Sequence, residues 1–139
     1  SGAFIGRYED KVENQFYWYI RPQETGNKTD VRWLTLLDSG GLGVKITGLQ
    51  PISFSALHFS PEDLDPGLTR KLQHTIDIVP QKNIFLHVDL KQRGLGGDNS
   101  WGMYPHNEYR LLDKKYTYSY MIELVEKGSD KNDYLNSRK

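Results

Sequence analysis

The stretch Ile84-Phe85-Leu86-His87-Val88-Asp89-Leu90 decides the fold class. Ile84, Leu86, Val88 and Leu90 recur at every second position, which is the period of a strand with one buried face. The same period runs through Leu42-Gly43-Val44-Lys45-Ile46-Thr47 and through Tyr116-Thr117-Tyr118-Ser119-Tyr120-Met121-Ile122. Phe16 to Ile20, Val31 to Leu37 and Ile52 to Phe59 add three runs rich in aromatic and β-branched residues, with Gly, Pro, Asn and Asp between them. One helical start stands out, Ser60-Pro61-Glu62-Asp63. Serine caps, proline suits the first helical position, and carboxylates favour the positive end of the helix dipole. Pro66-Gly67 is expected to stop this helix after about a turn. Many short strands and one short helical turn predict an all-β chain folded as an antiparallel β-sandwich.

The size fits one domain. The chain has 139 residues, 37% of them hydrophobic, with 18 Lys plus Arg balanced by 18 Asp plus Glu. A formal charge of zero supplies no general attraction to nucleic acid or to an anionic membrane, so neither is an expected partner. No window approaches the roughly 20 apolar residues that span a bilayer. The absence of cysteine removes thiolate catalysis and zinc–thiolate sites, yet separates neither bacterial cytoplasm from periplasm. Ser1 to Ala3 read as a cloning remnant, residues 4–127 as the domain, and residues 128–139 as a polar, solvated tail.

Familiar chemistry is hard to place. Gly40-Gly41-Leu42-Gly43-Val44-Lys45 lacks the spacing of a phosphate loop, and Gly94-Leu95-Gly96-Gly97 leads into Asp98-Asn99 rather than into a helix. His58, His74, His87 and His106 have no common spacing on one element, so no metal site is expected. No G-x-S-x-G elbow is present. A retaining glycosidase needs two carboxylates about 5 Å apart, and no pair in this chain is assigned to that task. Most of the nine tyrosines and three tryptophans are expected to fill the core, Trp18 and Trp33 within strands and Tyr116, Tyr118 and Tyr120 along one strand face. Trp101 differs, because it follows a loop whose glycines, Gly94, Gly96 and Gly97, permit positive φ and close backbone approach, and Pro105 stiffens the exit. On pattern alone it is either a plug buried under a turn or an indole presented at a rim.

Gly94-Leu95-Gly96-Gly97-Asp98-Asn99-Ser100-Trp101-Gly102, followed by Pro105-His106 and Glu108-Tyr109, resembles the C-terminal signature of the large bacterial β-galactosidases of glycoside hydrolase family 2. Residues Arg21 to Trp33 are similar to that family's PQE-x-GN-x-x-D-x-RW segment, and Phe59 to Leu64 to its short helical turn. The likeness runs in order from about Gly6 to Val125.

The resemblance implies that this is the last part of a longer retaining enzyme acting on terminal β-D-galactosyl bonds such as that of lactose. It also implies a galactose-mutarotase-like super-sandwich, or its second half. The family's catalytic glutamates, with its magnesium and sodium ligands, lie in a (β/α)₈ barrel that this chain does not contain, so no catalytic residue and no cofactor is carried over. Trp101 matches the family's tryptophan that stacks on the leaving-group sugar. Asp98, Asn99 and Ser100 are expected to hold its loop, and Asp30 and Arg32 to be available for ion pairing. The implied partners are the galactoside, the parent's barrel and further copies of the subunit. An autonomous carbohydrate-binding module and a purely structural assembly domain are the alternatives.

Overall fold

The structure is a computed structural model that describes residues 4–18, 25–65, 74–94, 96–99 and 102–128. Among the described residues it contains four strands and one short helix: β1 (Lys28–Leu37), β2 (Leu42–Leu57), α1 (Pro61–Leu64), β3 (Phe85–Asp89) and β4 (Tyr120–Glu126). Among the described residues, short 3₁₀ turns accompany them at Val12–Gln15, Thr75–Asp77 and Asn107–Tyr109. The chain is all-β, with hydrogen-bonded order β1–β2–β3 and β4 also on β2. Among the described residues no helix is long and apolar enough to cross a membrane.

The chain divides into two compact units, each assembled from two separated segments. Ser1–Lys28 joins Phe54–Val88, and Thr29–Ser53 joins Asp89–Lys139. In the first unit Leu57, Phe59, Leu64 and Ile78 form a buried cluster on which Phe16 packs, its ring 4.5 Å from that of Phe59. Helix α1 delivers Leu64 to that cluster. Its start is a complete capping box: the Ser60 hydroxyl accepts from the Asp63 N–H at 3.2 Å, and the Asp63 carboxylate accepts from the Ser60 N–H at 2.7 Å. The stop expected at Pro66-Gly67 lies outside the described residues.

In the second unit β1 and β2 form a hairpin closed by Asp38 N–H to Leu42 O at 2.8 Å and Gly41 N–H to Asp38 O at 3.1 Å. The first part of β2 pairs antiparallel with β4, Leu42 opposite Glu126 through Gly48 opposite Tyr120. Leu34, Ile46 and Ile52 are buried here. Lys45 is buried too, its ammonium 5.4 Å from the Trp33 ring centroid, while Glu123 stands opposite it in the β4 register. A lysine stem lying along apolar surface with its charge over an indole is a stable way to bury that residue.

Four local expectations change. The runs 42–47 and 52–59 are one strand, because Ser119 sustains the ladder across the intervening Gly48 to Pro51. The Leu49 N–H donates to Ser119 O at 3.0 Å, and the Gln50 carboxamide both donates to that oxygen at 3.1 Å and accepts from the Ser119 N–H at 3.2 Å. Pro51 sits at an exposed position of β2. The last strand starts at Tyr120 rather than Tyr116, the Ser119 N–H before it donating to the Gln50 side chain. Phe16 to Trp18 form no strand; the preceding 3₁₀ turn aims Phe16 into the core and leaves Trp18 68% exposed, edge-on to Phe16. Tyr116, Tyr118 and Tyr120 are between 37% and 42% exposed rather than packed in the core.

Candidate functional site

The glycine-rich stretch forms a loop whose two limbs are tied at three levels. At its base the Gly94 N–H donates to Tyr109 O at 2.8 Å. One level up the His106 N–H donates to Gly96 O at 2.8 Å, and the His106 ring Nε2 lies 3.1 Å from Asp98 Oδ1. Near the tip Asn99 Oδ1 accepts from the N–H groups of Gly102 and Met103, at 3.2 and 3.3 Å. One side-chain oxygen thus serves two successive amides, which is how Asx side chains stand in for a backbone acceptor.

The glycines serve close approach. A Cβ on Gly94 would meet Tyr109 Cβ at 2.9 Å, and one on Gly96 would run into the Tyr109 ring. The positive φ expected of this stretch is found elsewhere among the described residues, at Gly26, Gly41 and Gly128, and not at Gly94, Gly96, Gly97 or Gly102. Tyr109 therefore braces the loop from below. The neighbouring Glu108 carboxylate, as a hydrogen-bond acceptor first and through its charge second, and then desolvation raise the phenol above its ordinary value of 10.0. Pro105 is buried against Gly97, whose Cβ would lie 3.3 Å from Pro105 Cα.

Asp98 and Asn99 both stand in this loop; Ser100 and Trp101 lie outside the described residues. Two participants were not singled out by sequence reasoning, His106 as the partner of Asp98 and Tyr109 as the floor under the glycines. The legible signal is two glycines two residues apart followed by an aromatic, because an aromatic laid across a limb demands that it carry no Cβ.

Other candidates resolve differently. His58 Nδ1 sits 2.9 Å from Gln81 O and 3.2 Å from Asn83 O, a structural tie within the first unit. Asp30 and Arg32 are exposed on β1 and form no ion pair with each other; Asp30 adopts φ 57. Among the described residues no three of His, Asp and Glu converge in a way that would hold a metal ion.

The family model described as "Beta galactosidase small chain" matches residues 1–122. The beta-galactosidase of Priestia megaterium (strain DSM 319 / IMG 1521) is 35% identical over 124 residues, which cover 88% of this chain and 12% of the relative. That of Streptococcus thermophilus is 36% identical over 124 residues, again 88% and 12%. That of Lactobacillus delbrueckii subsp. bulgaricus is 34% identical over 116 residues, 83% and 11%. The chain thus spans only about an eighth of the length of the curated relatives it matches.

Proposed function

This chain belongs to the beta-galactosidase small-chain family, and from that premise we propose that it is a non-catalytic domain of a retaining β-galactosidase that contributes Trp101 to the aglycone side of the active site. The parent hydrolyses terminal β-D-galactosyl bonds such as that of lactose. Its nucleophile, its acid/base carboxylate and its magnesium and sodium belong to the parent's barrel. The described residues of this chain do not fit a metal.

The observation that carries the reading is the loop's own bracing: the Asn99 oxygen holds the Gly102 and Met103 amides, and Asp98 contacts His106. A loop tied this way spends little entropy when a ligand arrives. A pyranose presents an apolar C–H face and an indole is a broad rigid plate with two side-chain torsions, so stacking gains area at low ordering cost. In this reading Asp98, Asn99 and Ser100 hold the loop while Trp101 touches sugar.

Trp101→Ala in the full-length parent tests it. The substitution is expected to weaken leaving-group sugar binding by roughly 1–3 kcal/mol, more for lactose than for a galactoside whose aglycone cannot stack. Unchanged lactose kinetics would sink the proposal. A second reading, a domain serving assembly, draws on the exposed apolar side chains of β4, where Leu124 is 90% and Ile122 60% exposed. Intact kinetics for Trp101→Ala, with subunit assembly lost on charging β4, favour that reading.

A further inference from the structure

At the base of the glycine-rich loop stand two arginines. The Gly94–Tyr109 hydrogen bond sets the limbs side by side, which brings Arg93 and Arg110, one residue further out on each limb, opposite one another. Like charges in facing positions cost stability unless something compensates them. Here both lie against one ring: the Arg110 guanidinium carbon is 4.9 Å and that of Arg93 5.9 Å from the centroid of Tyr104.

A guanidinium that stacks uses its flat face and keeps its edge donors. Those donors are largely unspent. Arg110 gives one hydrogen bond, to Asn107 Oδ1 at 3.2 Å, and Arg93 makes none among the described residues. Neither pairs with a carboxylate among them. Of the nearby acids, Asp98 is engaged with His106. Tyr104 itself is 72% exposed, so the ring that organises the two cations is open to solvent.

We propose that Arg93, Tyr104 and Arg110 form an oxyanion-binding site, with the two guanidinium edges donating to a carboxylate or phosphate group and the tyrosine setting their orientation. Planar forks match both groups, and a shared anion relieves the repulsion between the two cations. The site involves neither Trp101 nor a galactoside, so it stands or falls separately from the function proposed above.

The test is an NMR titration of the full 139-residue chain with inorganic phosphate and, separately, with acetate, at fixed pH and with sodium chloride at matched ionic strength as reference. Saturable shifts of the Arg93 and Arg110 Nε–H and Tyr104 ring resonances at millimolar phosphate or acetate are expected, with no saturation by chloride. Saturation by phosphate alone assigns the site to phosphate esters, and by acetate alone to carboxylates; either result upholds it. Arg93→Gln or Arg110→Gln should weaken binding at least fivefold, Arg93→Lys should weaken it less, and Lys91→Gln, an equal loss of charge beside Tyr116, should leave it intact. Shifts that track ionic strength, or that fall equally for Lys91→Gln and Arg93→Gln, would overturn the proposal.

Discussion

Asn99 shares one carboxamide oxygen between two amide donors, and that economy makes it the most sensitive point of the loop. Asn99→Ala is expected to leave the global fold intact and to raise hydrogen exchange at the Gly102 and Met103 amides by roughly tenfold, about 1.4 kcal/mol for the lost acceptor. Unchanged exchange at both amides would mean that the turn is held by other contacts. At the opposite end of the chain Asp10 behaves as a local acid clasp. The Asn14 side chain and the Lys11 N–H, the two largest causes, and then the Gln15 side chain donate to its carboxylate, and with the charge of Lys28 they outweigh the opposing desolvation, so its folded value lies below the ordinary 3.8. A carboxylate more acidic in the folded state adds stability above the unfolded value and loses it as pH falls through the folded one. Asp10→Asn should therefore flatten part of the decline in urea midpoint as pH falls below about 4. An identical acid decline in both proteins would refute this.

At the scale of elements, the sequence was legible wherever a period and a local stop agreed. Strand β3 falls within the alternating run 84–90, and the Ser60-Pro61-Glu62-Asp63 start folds as a capped turn. Removing that cap with Ser60→Ala should cost about 0.5–2 kcal/mol, read as a lower urea midpoint at constant slope. A shift indistinguishable from zero would show that packing of Leu64, not the cap, holds the turn. Legibility failed where one side chain replaced backbone. Nothing local in Gly48-Leu49-Gln50-Pro51 announces a strand, since its partner is Ser119, far along the chain, through a glutamine carboxamide. The loop was legible as a special segment from its glycines, but the bond between Asp98 and His106 joins its two limbs across the turn, and a linear reading does not pair them.

For the whole molecule, apolar exposure on β4 is the dominant fact. Tyr120, Met121, Ile122 and Leu124 are all at least 42% exposed, and Leu42 of β2 is 55% exposed. Such a strand invites pairing and burial against another surface. The isolated chain should self-associate with rising concentration, and Ile122→Lys with Leu124→Lys should suppress that while changing stability by about 0.5 kcal/mol or less per site. Sedimentation velocity across a concentration series checks it; association that persists in the double variant would move the sticky surface elsewhere.

The interleaving of the two units has a consequence for synthesis. Every segment of the first unit has been made once Val88 is added, whereas the strands of Thr29–Ser53 lack β4 until residues beyond Tyr120 follow. At about 5–20 residues per second, that hairpin waits several seconds on the ribosome with the edge meant for β4 open. A chaperone that shelters nascent strands would find its substrate there, in the interval between the closing of one unit and the arrival of the last strand of the other.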